Sequence, residues 1–164
     1  MIETYKPKVR GIVHLDIYKN GVLHSTEDHN TIVDTSSSIL ARLIGFQGTY
    51  SDKAITLFKV SDGDAPTDKT NTDLDGTTFE KLFSAMDVTG DIYEYDVGSP
   101  NEIIFNFNLD ELEFNGNDIW QFGLFSGDGQ MFSMLSRNPS KSYPIEKATD
   151  VLVIGWWKII FDNA

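Results

Sequence analysis

The stretch Val151-Leu152-Val153-Ile154-Gly155-Trp156-Trp157-Lys158-Ile159-Ile160-Phe161, near the carboxyl end, decides the fold. In an extended strand successive side chains point to opposite faces, so odd-numbered and even-numbered residues form two separate rows. Both rows are apolar here, and Lys158 is the single polar side chain among them. An antiparallel sheet with one face in water alternates apolar and polar residues, so this pattern predicts a strand that is covered on both faces.

A second sheet, the helix described below or another chain would each provide such a cover. The commoner arrangement is a central strand in a β-sandwich, and contact with a neighbouring subunit is the sharper alternative. Under that alternative, the predicted interface residues are Leu152, Ile154, Trp156, Trp157 and Ile160.

A β-hairpin is predicted at the amino end, because residues 9–18 alternate apolar and other side chains at period two. Val13, Leu15 and Ile17 share one face of this strand. Asn20-Gly21 follows, and both residues tolerate the positive φ that a type I′ turn requires. Residues 22–26 then return as the second strand, and we assign residues 1–28 to an amino-terminal hairpin arm.

Between this hairpin and the last strand the pattern is mostly β, with one short helix predicted at about residues 35–44. Asp34 or Thr35 is suited to cap this helix, and Gly45 is suited to a left-handed residue at its end. Further strands are predicted at residues 54–60 and 102–109 and in a hairpin over 118–135, with a long surface loop at 61–76. The apolar residues of segment 79–86 have helical spacing, but its Thr and Phe content and the surrounding strands favour a strand there as well. The sequence therefore predicts one domain, residues 1–164, in which 29–164 form an antiparallel β-sandwich with one helix.

Composition excludes several classes of protein. The chain has 164 residues and no cysteine, which excludes a disulfide-stapled scaffold and every thiolate chemistry. It carries 25 acidic and 13 basic side chains, a formal net charge of −12, which argues against binding to nucleic acids or anionic membranes. The longest apolar run is too short to cross a bilayer, and residues 1–7 lack the apolar core of a signal peptide, so we expect neither a membrane span nor a leader.

The three histidines lie near the first hairpin. With a two-residue turn, His24 is predicted to lie opposite Ile17, and His14 opposite Glu27 on the other face. A metal site formed by His14, Glu27 and His29 is one interpretation. Exposed strand histidines are far commoner, so no metal ligand is assigned.

The acidic loop at residues 61–76 invites a calcium interpretation. Residues 71–76 fit the first half of an EF-hand loop, but Leu82 stands where the bidentate glutamate is required. Flanking helices are not predicted either, so we reject an EF-hand. Weak cation binding and a solvated acidic loop stay open as alternatives for four carboxylates: Asp62, Asp64, Asp73 and Asp75.

Motifs for catalysis are not found in the sequence. Gly123-Leu124-Phe125-Ser126-Gly127 differs from a nucleophile elbow, and its position predicts a hairpin turn. Gly127-Asp128-Gly129 places an acid where a phosphate loop needs free N–H groups. We therefore predict no enzyme, no catalytic residue and no cofactor.

Four segments follow one another in an order that resembles a known family. They are residues 29–33 leading to the helix at 39–45; residues 57–67, with Ala65-Pro66-Thr67, followed by Thr72-Asp73-Leu74; residues 122–132, with Gly123-Leu124-Phe125 and Asp128-Gly129; and Pro144-Ile145-Glu146-Lys147, followed by the last strand. Together they resemble the small domain of tail-fibre, tail-collar and baseplate-associated proteins of tailed bacteriophages.

The resemblance implies a structural virion protein that is assembled in the cytoplasm of the bacterial host. Its expected partners are copies of itself and other tail or neck proteins of the virion, and it implies no catalytic residue. Since no shaft-like segment follows Phe161, we expect an adaptor, collar or baseplate subunit. The alternatives are a carbohydrate-binding module that uses Trp120, Tyr93 and Tyr95, and a hydrolase with paired carboxylates.

Overall fold

A computed structural model describes residues 8–45, 49–138, 141 and 143–162 of this chain. Residues 1–7, for which no leader was predicted, lie outside this part. The described residues are mainly β, as predicted. In chain order the elements are β1 (Lys8–Lys19), β2 (Val22–Ile32), α1 (Thr35–Ile44), α2 (Tyr50–Lys53), β3 (Ile55–Ser61), β4 (Thr78–Leu82), a 3-10 turn (Phe83–Ala85), β5 (Tyr93–Glu94), β6 (Glu102–Leu109), β7 (Asp118–Ile119), β8 (Gln121–Ser126), β9 (Met131–Ser136), β10 (Ile145–Glu146) and β11 (Val151–Asp162).

Nine of these strands form one antiparallel sheet in the order β4-β3-β8-β9-β2-β1-β11-β6-β5. The sheet folds over at β2, whose residues 22–30 pair with β1 and whose Thr31 and Ile32 pair with β9. We call β2, β1, β11, β6 and β5 layer A, and β4, β3, β8 and β9 layer B. Phe58 of β3 stacks on Phe107 of β6, with ring centroids 4.3 Å apart, although five strands separate β3 from β6. The two layers therefore face each other, and the predicted antiparallel β-sandwich is confirmed.

The core lies between the two layers and is built from alternate residues of each strand. Trp157 of β11 is fully buried there and is the largest such side chain. Val13 and Leu15 of β1 and Phe107 of β6 lie in the same cluster. Burying a side chain of this kind contributes about 1.5–3 kcal/mol relative to leaving it exposed, so the core supplies most of the driving force for folding.

The first hairpin has the predicted turn and register but a different position. Asn20 and Gly21 have φ of 51° and 74°, and Ile17 pairs with His24. The hairpin is not an arm, however, because β1 pairs along its whole length with β11. Of the predicted arm, residues 1–28, the described residues 8–28 are therefore part of layer A and do not form an arm.

The helix has the predicted bounds, but its ends differ from the prediction. Asp34 makes no side-chain capping bond, and Thr35 instead donates a hydrogen bond to the Met131 carbonyl. Gly45 has a φ of −80°, so it is not left-handed. Contact with β9 therefore fixes the start of α1 in place of local capping. The one-turn helix α2 was not predicted.

The segment 79–86 was predicted as a strand and forms one only as far as Leu82. The chain then makes a 3-10 turn at Phe83, whose ring contacts both Phe58 and Phe105 in the core. Tertiary packing of this ring therefore ends the strand, which explains the helix-like spacing of the apolar residues.

Asp128 joins both helices to the turn between β8 and β9. Lys53 of α2 donates a hydrogen bond to its carboxylate, and Arg42 of α1 lies 3.1 Å from it. The hydrogen bond from Lys53, with a second from Ser126, lowers the pKa of Asp128 below its ordinary value. The folded protein therefore stabilises the ionised form of this carboxyl.

We expect D128N to lower the free energy of unfolding by about 1–2 kcal/mol at pH 7, because Lys53 loses a charged partner. The folded-state pKa of Asp128 is lowered, so its stabilisation is complete above pH ~4 and is lost as the pH falls through that pKa. Urea unfolding at pH 7 and at pH 2.5 measures both values. D64N, in an exposed loop, is the matched control, and a D128N deficit that stays constant across this range would contradict the interpretation.

Candidate functional site

The predicted interface residues lie at different depths. Trp157 is 0% exposed and Ile160 is 4% exposed, whereas Leu152 and Trp156 are half-buried and Ile154 is 39% exposed. Trp157 belongs to the odd-numbered row, which faces the core, so its assignment to an interface is wrong. Within the described part of this chain, the outer side of β11 has no second layer at Ile154, which is 39% exposed, because α1 packs against β9; cover by another chain stays a prediction there.

The outer face of layer A is the surface that these even-numbered residues share with their strand neighbours. The register places Tyr18 beside Leu152, Asp16 beside Ile154, and His14 beside Trp156. On the other side of β1, the same register places Leu23 beside Tyr18. Half-buried and exposed apolar side chains therefore run across three strands, and we call them the apolar strip: Leu23, Tyr18, Leu152, Ile154 and Trp156.

The middle of the outer face is held by an aromatic stack. The rings of His14 and Trp156 lie 5.2 Å apart with an interplanar angle of 9°. His14 Nε2 lies 3.1 Å from Asp16 Oδ1, which also accepts a hydrogen bond from Ser25 Oγ at 2.5 Å. These contacts hold the Trp156 ring, and Lys158 Nζ lies 5.8 Å from its centroid.

Serine, histidine and aspartate thus lie together here, but their order does not suit nucleophilic catalysis. In a catalytic triad the imidazole lies between the serine and the acid and removes the serine proton. Here Asp16 lies between Ser25 and His14 and takes both contacts. Because His14 does not reach Ser25 Oγ through this network, the arrangement supports the surface and does not activate the hydroxyl.

Charged groups on the outer face pair within the chain. Arg10 lies 2.9 Å from Asp162, and Lys158 lies 3.0 Å from Glu102. The protein as a whole has a net charge of −12, so most of its surface repels another copy. On the outer face, Asp162 and Glu102 therefore have basic partners, whereas Asp16 and Glu27 lie beside His14.

The metal interpretation of the histidines is not supported by the geometry. His14 Nδ1 lies 4.0 Å from Glu27, as the register predicted, but its nearer partner is Asp16. Among the described residues, no three histidine or acidic side chains are grouped closely enough to hold a metal ion.

The acidic loop at 61–76 is a cover for layer B. Asp62 accepts a hydrogen bond from the Thr77 amide, and Asp73 accepts one from the Leu74 amide, so these carboxylates hold turns. Leu74 packs against Phe125 in a second apolar cluster. This role was not predicted, because the loop has few apolar residues and is held partly by hydrogen bonds between Gln121 and the backbone of Ala65 and Asp75.

The aromatic residues proposed for sugar binding do not come together. Tyr93 and Tyr95 line a cavity at one end of the sandwich, and Trp120 is not among the described residues that line it. Trp120 instead forms backbone hydrogen bonds with Ser61 and Arg137 near the start of β8. The structure thus offers no shared platform for these three side chains.

A second cleft, beside the first hairpin, carries basic side chains that sequence reasoning did not single out. Arg137 is 1% exposed there, and burial lowers the pKa of its guanidinium. Lys19 lies 3.2 Å from Glu146, and Lys141 lies 3.5 Å from Asp28. Since both lysines are paired with acids, this cleft is no ready-made anion site.

The helices in the described part of the chain are all too short or too polar to cross a bilayer. Compared with protein-family profiles, with curated proteins and with solved structures, the chain has no significant match.

Proposed function

We propose that this chain is a structural subunit that docks to copies of itself through the outer face of layer A, within the tail, collar or baseplate of a tailed bacteriophage. The observation that carries the docking is the apolar strip, where Leu23 is 48% exposed and Ile154 is 39% exposed. The resemblance of the four sequence segments supplies the virion context.

Size supports a second copy as the partner. Strands lie about 4.8 Å apart and rise ~3.3 Å per residue, so β2, β1, β11 and β6 over the length of residues 152–160 span about 19 Å by 30 Å. The flat area is about 570 Å². Because side chains project from the sheet, its accessible surface is larger and comes near the roughly 800 Å² that each partner buries in a standard interface.

Electrostatics supports the same partner. Two acidic copies repel least where their carboxylates are neutralised, and Asp162 and Glu102 are paired with Arg10 and Lys158 on this face. A two-fold axis through the face would place the apolar strip of one copy against that of the other, because the same patch serves both subunits.

Replacing Ile154 by lysine is expected to convert the oligomer to a monomer, because it puts a charge into the centre of the apolar strip. The fold is expected to persist, since residue 154 lies opposite Asp16 on β1 and the new charges attract. Sedimentation velocity over a hundredfold range of concentration measures the mass, and thermal unfolding checks the fold. L112K is the matched control, because Leu112, like Ile154, is an exposed aliphatic residue but lies outside the outer face.

A wild-type protein that stays monomeric at millimolar concentration would refute the docking. Equal effects of I154K and L112K would refute the assignment to this face. The virion context has its own test: mass spectrometry of purified particles is expected to detect the protein, and particles made without its gene are expected to assemble incompletely. Its absence from intact particles would remove that part of the proposal.

A further inference from the structure

The end cavity lies at one end of the sandwich, between α1 and the ends of both layers, and has a volume of about 660 Å³. Its floor is made by residues of the main core, which are nearly inaccessible to solvent: Ile39, Phe105, Phe132 and Ile159. Tyr50, Tyr93 and Tyr95 stand around its mouth, each substantially exposed. An open apolar volume of this size falls within the range of small-molecule sites and is more than a folded domain needs.

The polar side chains of the cavity wall are largely engaged within the protein. The contacts are Tyr93 Oη to the Ile55 carbonyl at 3.3 Å, Tyr95 Oη to the Pro100 carbonyl at 3.3 Å, Asn101 Nδ2 to the Phe161 carbonyl at 3.2 Å, and Glu102 to Lys158 at 3.0 Å. Burial also raises the pKa of Tyr93, which keeps its hydroxyl neutral. The wall thus presents hydrocarbon and uncharged hydroxyls, and its one carboxylate already has a partner.

We propose that the end cavity binds a small, uncharged molecule with a hydrocarbon body, such as an alkyl chain or an aromatic ring system. Binding rests on apolar contact, because the wall offers no unpaired charge to hold a polar head. A negatively charged amphiphile is disfavoured by the protein's net charge of −12. This site shares Glu102 with the edge of the outer face of layer A, but ligand binding there does not depend on self-docking.

A polypeptide segment fits the cavity less well. Each residue of such a segment brings an N–H and a carbonyl that need partners when buried. Donors of Tyr93, Tyr95 and Asn101 are already used within the chain, which leaves few side-chain donors in the wall beyond the hydroxyls of Tyr50 and Thr56. A hydrocarbon ligand makes no such demand, which is why we assign the cavity to one.

The proposal is tested with N-phenyl-1-naphthylamine, a neutral apolar probe whose fluorescence rises in apolar surroundings. We expect saturable binding at one site per chain and full displacement by dodecanol. Dodecanoate, of equal chain length, is expected to displace the probe at least tenfold less well at low salt. This difference is expected to shrink in 0.5 M salt, where charge repulsion is screened.

Two matched variants locate the site. Leu43 lines the cavity and Ile44, the next residue of α1, is 85% exposed outside it. L43W is expected to weaken probe binding at least tenfold by filling the cavity, and I44W to leave it unchanged. If L43W lowers the melting temperature strongly, L43F makes the same comparison with less added bulk.

Three results would overturn the proposal. They are probe binding that does not saturate, equal effects of L43W and I44W, and dodecanol that fails to displace the probe. A protein that binds no probe but whose oligomeric mass falls on L43W substitution would show that a second copy fills the cavity instead.

Discussion

Replacing Trp157 by alanine is expected to unfold most of the protein, whereas replacing its neighbour Trp156 leaves the fold intact. Trp157 is fully buried between the two layers, and truncating such a side chain costs about 3–5 kcal/mol. Single domains are stable by only ~5–15 kcal/mol, so this loss removes a large part of the total. Trp156 is half-buried on the outer face, where alanine removes the stack on His14, and we expect a loss of about 1 kcal/mol.

Urea unfolding followed by circular dichroism measures both variants, and Trp157→Phe is the informative control. Among the described residues, the buried Nε1–H of Trp157 has no acceptor. Phenylalanine removes this unsatisfied donor and keeps much of the ring volume, so W157F should cost far less than W157A. A deficit of W156A as large as that of W157A would contradict the assignment of the two tryptophans to opposite faces.

The strands and the first register could be predicted because both depend on local rules. Alternation at period two fixes which side chains share a face, and Asn20-Gly21 fixes the turn. The pairs Ile17–His24 and His14–Glu27 follow from these two facts alone, and both are observed. Strands and turns whose geometry is determined by neighbouring residues can be predicted without knowledge of the rest of the chain.

The end of β4 and the covering of β11 could not be predicted because distant contacts decide them. The strand stops at Leu82 since Phe83 turns into the core against Phe105. In the part of this chain that the structure describes, no second layer lies over Ile154 in the even-numbered row of β11, and Trp156 is shielded sideways by His14. An apolar strand face therefore indicates that its side chains pack against something. It does not show whether they pack against a second layer or against side chains of the neighbouring strand in the same sheet.

Gly155 shows the same limit at a single residue. A Cβ atom at this position would lie 2.5 Å from the backbone oxygen of His14 and 2.6 Å from the Phe107 ring. The glycine is needed because β1 and the core approach it closely, which only the assembled sheet reveals.

The candidate site was predicted in part. The alternation predicted that Leu152, Ile154 and Trp156 lie on one face, and they do. Trp157 was also predicted to lie at an interface, but its side chain is buried in the core. The end cavity was missed altogether, because its wall is drawn from residues of both helices and several strands that are distant in the sequence.

Lys81 closes the sandwich where the two ends of the sheet meet. It is 8% exposed on β4 in layer B, and its Nζ lies 2.9 Å from Glu113 and 3.5 Å from Asp110, beyond the end of β6. The same ammonium donates to the Asn108 carbonyl of β6 at 3.4 Å. These bonds join β4 and β6, which lie at or near opposite ends of the nine-strand order. In a closed barrel the two edge strands would be joined by backbone hydrogen bonds, and here the side chain of Lys81 makes the connection.

We expect K81M to lower the free energy of unfolding by about 3 kcal/mol, because methionine keeps the hydrocarbon stem but removes the ammonium that lies 2.9 Å from Glu113, while Lys147 interacts with this carboxylate without a direct bond. K59M is the matched control. Lys59 lies on β3, and its acids, Asp73 and Glu80, are 3.6 and 3.8 Å away and largely exposed, so its loss should cost about 1 kcal/mol or less.

The double variant K81M/E113Q separates the charge from the packing. If the deficit of K81M arises from a stranded carboxylate, removing the charge of Glu113 as well should restore part of the lost stability, since a pair removed together costs less than one partner removed alone. If the deficit arises from lost packing of the lysine stem, E113Q should add its own cost and restore nothing. Urea unfolding of the two single variants and the double variant completes the cycle, and partial recovery is the outcome we expect, because methionine already fills the space of that stem.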